Sequence, residues 1–352
     1  MQSLASRRRF LKTSLGSALA GALAGQLVVP SSVRAAGADK LKIGLVGCGG
    51  RGSGAAMQAL QADKNVVLTA MGDLFPDRLQ SSLASLKAQL PDKVQVDPDH
   101  CFTGFDAYQK VINSDIDVVL LASPPGFRPM HLKAAIEAGK HVFAEKPVAV
   151  DAPGVRSAIA SAKLAKEKNL AIVAGFCWRY CYPERAIFRR IHDGALGQIT
   201  SIYSYYNANG LWSRPRQPQW SETEYQLRNW LYYSWLSGDH IVEQAVHTID
   251  KMAWAMNDVP PLRAIGSGGR QSRIDPLYGH IYDHFAVVYE YANDVRGHFY
   301  CRQQDGTVPG VRDHITGTKA VANITSGSSH QIKGPNPWSY DGPTNNMYQT
   351  EH

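Results

Sequence analysis

The chain has 352 residues, of which 44% are hydrophobic and 19% charged, and a formal charge of +7. Arg7, Arg8, Arg9, Lys12 and Arg34 account for five of those charges within the first 36 positions, which hold no acid, so the remainder stands near +2. It lacks the clustered basic stripe that nucleic-acid binding requires, and five scattered cysteines, an odd number, argue against a disulfide framework.

In chain order, Ser6-Arg7-Arg8-Arg9-Phe10-Leu11-Lys12 and the apolar run 15–29 read as a twin-arginine export signal. Small residues at Val33-Arg34-Ala35 offer cleavage near Ala35 or Ala36, with an uncleaved anchor as the alternative. Such a signal implies the twin-arginine machinery as a partner, folding before export, and a periplasmic location. Residues 37–175 alternate strand and helix: strands at 42–46, 66–71, 116–122, 141–144 and 171–174, helices at 53–62, 76–90, 129–138 and 152–168. This order predicts a doubly wound parallel sheet of the Rossmann type. Residues 176–352 change character. A long loop rich in aromatic residues and proline is expected over 206–230 and a single helix over 239–256. Short strands follow at 264–266, 284–291, 296–302 and 320–324, so the second domain is expected to be α/β with an open, mainly antiparallel sheet.

Gly47-Cys48-Gly49-Gly50-Arg51-Gly52 lies between the first strand and the first helix, with Asp73 at the end of the next strand. Gly47 permits a tight turn, Gly49 admits a pyrophosphate, and the helix N-terminus offers oriented N–H groups. Asp73 accepts from a ribose 2′-hydroxyl and repels a 2′-phosphate, which favours NAD, while Arg51 and Arg78 leave NADP possible. Glu145-Lys146-Pro147 follows the strand 141–144 at the carboxyl edge of the sheet, where Lys146 reads either as a hydrogen-bond partner of a reacting hydroxyl or as part of a surface turn. His240, Glu243 and His247 share one face of the expected helix. His247 reads as a general base with Glu243 orienting it; the alternatives are a zinc trio or a buried structural histidine. Trp212, Trp220, Tyr225, Trp230, Tyr232, Tyr233 and Trp235 suit a carbohydrate ring, or bury themselves in an oligomer interface. Arg179, Arg214 and Arg228 are placed to fork onto hydroxyls. Tyr180 and His284 join Arg179, Trp230 and His240 as candidate substrate contacts. Cys177 and Cys181 read as a redox or metal pair, or as buried small side chains.

The glycine loop, Ser123-Pro124-Pro125 with His131, the run from Gly139 to Pro147, Gly175-Phe176 with Arg179, and the Glu243–His247–Asp250 segment together resemble the glucose–fructose oxidoreductase/inositol dehydrogenase/rhizopine catabolism (Gfo/Idh/MocA) family, most of all its twin-arginine exported members. The resemblance covers roughly residues 41–325. It implies a nicotinamide-dependent oxidoreductase of sugars or cyclitols, with Lys146 and His247 as its motif lysine and histidine and a cis bond before Pro147. It adds Ser123, Pro124, His131 and Glu145 to the cofactor side, and implies no metal and a homo-oligomer built through the C-terminal sheet. Two departures stand out: many members have Asp where this chain has Glu243, and the family continues beyond a segment like 348–352 with a further helix, which suggests a truncated chain. Tightly retained NAD follows from a location without a free nucleotide pool. Redox-neutral cleavage of a glycoside through transient C3 oxidation is an alternative activity, and a non-catalytic sugar-binding protein is a second.

Overall fold

The computed structural model describes residues 40–352, so the export-signal reading falls outside the described residues. The first layer is a sheet of six parallel strands: β1 (Leu41–Val46), β2 (Val66–Asp73), β3 (Cys101–Thr103), β4 (Val118–Leu121), β5 (His141–Ala144) and β6 (Ile172–Ala174). Their spatial order is β3-β2-β1-β4-β5-β6. The winding therefore reverses between β1 and β4, and a crevice opens at their carboxyl ends. Both faces are covered, which is why the strands read as unbroken apolar runs. Leu45, Leu68, Met71 and Leu120 pack with Ala55 and Leu60 of the helix Gly50–Ala62 on one side. On the other, Val119 and Leu121 pack with Val111, Leu132 and Ile136.

The second layer is an eight-stranded sheet: β7 (Ile199–Ala208), β8 (Arg263–Gly269), β9 (His284–Glu290), β10 (Arg296–Gln303), β11 (Gly310–Gly317), β12 (Val321–Thr325), β13 (Ser329–Lys333) and β14 (Trp338–Ser339). The order is β14-β13-β12-β11-β7-β10-β9-β8, antiparallel throughout except for the central β7–β10 pair. Helices Tyr182–His192 and Val246–Ala255 cover one face, with Ile187, Phe188, Met252, Phe299 and Ile315 in the shared core. The other face carries Tyr203 and Tyr300, ring centroids 5.3 Å apart and both exposed.

Three differences from the sequence reading bear on the site. The first helix begins at Gly50, inside the glycine loop, and not at 53. The expected 206–230 loop is interrupted by a helix, Glu222–Arg228, whose Ser221 side chain caps it by accepting from Glu224 N–H. The expected single helix 239–256 is two, Asp239–Glu243 and Val246–Ala255. Ala245 N–H donates five residues back to the His240 carbonyl (2.9 Å). That wide turn breaks the i→i+4 ladder, so Glu243 ends one helix and His247 lies in the first turn of the next.

Candidate active site

The crevice at the carboxyl edge is a cleft of about 830 Å³. Gly47 to Ser53 form its floor; Asp73 to Phe75, Arg78, Ser123, Pro124 and His131 line one flank, and Trp212, Arg214, Trp230 and Glu243 come from the second domain. Gly47 has φ +95°, a left-handed conformation that favours glycine. A Cβ on Gly52 would collide with the Gly47 carbonyl, so the loop closes only with glycine there. Side chains on Gly49 and Gly50 would instead project into open space. The helix has no side-chain cap at Gly49, which leaves its first N–H groups oriented for an anion. This cradle fits the diphosphate of a dinucleotide. Asp73 braces it: Oδ2 accepts from Cys48 N–H (2.6 Å) and Oδ1 from Phe75 N–H (2.9 Å). Each oxygen keeps a further acceptor position for ribose hydroxyls.

Arg51 leaves the loop for another task. It pairs with Glu145, reaches Glu351 (3.5 Å) and lies over the Tyr348 ring (4.9 Å). Glu145, expected on the cofactor side, is buried in that same ion pair. The helix Met347–Glu351 thereby returns to the first domain, where His352 packs on Phe143 with centroids 4.0 Å apart. His131 donates to or accepts from Ser123 Oγ (3.0 Å) and stacks on Tyr108. Burial, then the Arg128 charge, lowers it to about 3, so it is neutral.

Lys146, Glu243 and His247 come together where the two domains meet. The Lys146–Pro147 peptide is cis, as the resemblance implied. Lys146 Nζ donates to Glu243 Oε1 (3.1 Å) and to the Glu243 carbonyl, with both side chains 15% exposed. His247 begins the next helix, edge-on to Phe176, and its Nδ1 is buried without a hydrogen-bond partner among the described residues. Burial, followed by the charges of Lys146 and Lys251, holds the imidazole well below its ordinary range. Glu243, on the cleft wall, joins this group to the glycine-lined floor.

Other candidates stand elsewhere. Arg179 is engaged by two carboxylates, Asp250 (2.8 and 2.9 Å) and Asp258 (2.5 and 3.2 Å), and stacks on Trp254. It braces the helix Val246–Ala255 and does not line the cleft. His240 is also turned inward: Asp239 Oδ1 holds its Nδ1 at 2.8 Å, and Phe285 packs on the ring. Asp239 itself has φ +66°. His284 is exposed at the start of β9 and does not line the cleft. Tyr180 ends the turn Cys177–Tyr180, where its carbonyl accepts from Asn345 Nδ2 (2.9 Å). Trp230 does line the cleft. Cys177 is buried and its thiol is pushed up to about 12 by burial, the behaviour of a packing residue. Among the described residues no three His, Cys, Asp or Glu side chains gather in a metal-binding group. The helix break puts His247 in a different helix from His240 and Glu243.

Arg128 belongs to no motif, yet it is fully buried and donates to both the Ser123 and Pro147 carbonyls. It thus ties the ends of β4 and β5 together beneath the cleft. The only sequence signal was an arginine following the Pro124-Pro125-Gly126 break, where a helix begins.

A six-stranded doubly wound sheet, a glycine cradle and a wall from a second domain define a two-domain dinucleotide-binding protein. Residues 41–176 match the model described as "Oxidoreductase family, NAD-binding Rossmann fold", and residues 185–323 match that of the GFO/IDH/MocA C-terminal domain. The chain belongs to the Gfo/Idh/MocA family. It is 28% identical over 209 residues to a glycosyl hydrolase family 109 protein of Shewanella amazonensis (55% of this chain, 44% of that protein). Identity is also 28% over 219 residues to the inositol 2-dehydrogenase/D-chiro-inositol 3-dehydrogenase of Lactiplantibacillus plantarum (62% and 53%). The chain spans about half the length of these curated relatives. In fold it is similar to the aldose-aldose oxidoreductase of Caulobacter crescentus (TM-score 0.68, 18% identity, 89% and 87% of the two chains). A levoglucosan dehydrogenase complexed with NADH and levoglucosan is similar to the same degree (TM-score 0.68, 19% identity, 89% and 87%).

Proposed function

We propose that this protein is an NAD-dependent oxidoreductase acting on a secondary hydroxyl of a sugar, glycoside or cyclitol. The single observation that carries this reading is the meeting of Lys146, Glu243 and His247 at the edge of the glycine-lined cleft. Nicotinamide, when bound, exchanges hydride with the carbinol carbon. Gly47, Gly49, Gly50 and Gly52 would hold the diphosphate and Asp73 the adenosine ribose, which favours NAD over NADP. Arg51, engaged by Glu145, offers a 2′-phosphate little. Lys146 has three ammonium donors and Glu243 takes two of them; the third is left for the substrate oxygen. His247, neutral because it is buried beside two cations, takes the hydroxyl proton. Trp230 on the cleft wall would pack on the ring. The run Ser6 to Lys12 supports export to the periplasm through the twin-arginine machinery, and the exposed sheet face at Tyr203 and Tyr300 is the surface through which copies would associate.

A second reading is favoured by the similarity to glycosyl hydrolase family 109 proteins: transient oxidation at C3, elimination of the glycosidic group as an alcohol, addition of water at C1 of the resulting enone, and re-reduction at C3, without net redox change. It uses the same residues. Purified full-length protein should carry or bind dinucleotide and then reduce it with a sugar or cyclitol. Release of phenol from a nitrophenyl glycoside without accumulating NADH would select the second reading. Protein that neither carries nor binds NAD or NADP would refute both.

A further inference from the structure

Residues 209–230 leave β7 and cross to the first domain, where Leu227 packs with Phe75, and four of them (Trp212, Arg214, Leu227 and Trp230) line the cleft together with Asp73, Phe75 and Arg78. The crossing is built, not loose. At its root Gly210 N–H donates to Asp305 (2.9 Å), and Tyr232 hydroxyl donates to the Leu211 carbonyl (2.9 Å). Midway, the fully buried Asn229 side chain accepts from Arg214 N–H (2.7 Å) and donates to the Arg214 carbonyl (3.1 Å). At its far end Arg228 reaches across to the first domain. Its guanidinium forks onto Asp77 (3.1 and 3.3 Å), is steadied by Glu224 (2.8 Å), and sits between Phe75 (3.9 Å) and Trp220 (4.9 Å). Arg78 adds a bond to the Arg228 carbonyl (3.4 Å).

We propose that this segment is a strap that completes the adenosine half of the dinucleotide site, and that the Arg228–Asp77 pair is the clasp that keeps it shut. The inference rests on the dinucleotide reading above and adds to it the residues that set retention. Asp73 marks the adenosine ribose position in a sheet wound this way, and Phe75, Asp77 and Arg78 directly follow it. Arg214 on the strap and Arg78 both line the cleft; burial, and to a lesser degree the Arg214 charge, lowers Arg78, while Asp73 opposes the shift. Trp212, 45% exposed on the cleft wall, offers a flat face to a base or ribose. A clasp of this kind slows release more than it speeds entry.

The test measures dissociation of NADH and of ADP-ribose from full-length protein by stopped-flow fluorescence. Arg228→Ala should speed release of both ligands alike, by about tenfold, and high salt should do the same to the wild type in part. Asp77→Arg, a change at an exposed side chain, should reproduce the effect, and the exchanged pair D77R/R228D should restore slow release. Release unchanged in both single variants would overturn the clasp, as would an exchange that recovers nothing. Faster release of NADH with ADP-ribose unaffected would also overturn it, because the strap would then not act on the adenosine half. Wild-type protein that binds neither ligand would remove the dinucleotide reading itself, and the strap with it.

Discussion

At the scale of single residues, the proposed chemistry rests on Lys146 and His247. Replacing either by Ala should lower turnover by about 10²–10⁴-fold while nucleotide binding persists, measured by steady-state kinetics alongside titration with NADH. Because burial and two neighbouring cations depress His247, it stays in its base form down through mildly acid pH. The acid limb of kcat/KM should therefore lie below 6.5, and a limb above that value would show that another group is the base. Lys146, His247 and the glycine loop were legible in the sequence because each lies in a local motif. Arg128 was not, since its role depends on carbonyls 5 and 19 residues away being brought to one spot. The pairing of Arg179 was not legible either. Its partners Asp250 and Asp258 are more than seventy residues on, and only the fold shows that its fork is taken.

At the scale of elements, the helix Val246–Ala255 carries His247 on its first turn and is anchored from below by Lys251. That lysine is fully buried against Asp313 of β11 (2.5 Å), Ser326 (2.7 Å) and Glu184 (3.6 Å). Removing one partner of a buried ion network strands the rest, so Lys251→Met should cost about 3–5 kcal/mol of unfolding free energy, read from denaturant titration. A change below about 1 kcal/mol would mean the network is not holding the helix. The strands of the first domain were readable from their apolar runs. The central strand β7 was not, because its inward positions include Ser204 while its exposed side carries Tyr203, inverting the alternation on which strand reading depends. The break at Gln244–Ala245 has no glycine or proline to announce it; it follows from a single i→i+5 bond.

At the scale of the whole molecule, the buried titratable groups set a pH window. Burial lowers His131 to about 3 and His352 to about 4, and holds His247 well below its ordinary value. As pH falls below about 6.5 the unfolded chain binds protons that the folded one refuses, so stability drops, by up to about 4 kcal/mol per pH unit for three imidazoles. Glu351 acts oppositely. Burial and the Glu145 carboxylate raise it to about 8, so stability also declines as pH rises from 4.5 toward 8, by up to about 1.4 kcal/mol per unit. The Tm should consequently peak near pH 6–7, as a calorimetric series would show; a Tm still rising below pH 5 would contradict this assignment of charges. The two-domain plan was legible from the shift of composition after Gly175, whereas the strap and the return of the helix Met347–Glu351 to the first domain were not, because no local pattern encodes a contact across about 300 residues. All scales converge on one claim, that substrate carbon and nicotinamide meet between Lys146 and His247. Single-turnover reaction of the nucleotide-loaded protein with aldoses, glycosides and inositols deuterated at their carbinol carbons tests it most directly. Mass spectrometry should find deuterium on the nucleotide in the wild type and lose it in Lys146→Ala and His247→Ala. Unlabelled nucleotide with every substrate, or equal labelling in both variants, would show that the reaction is not carried out there.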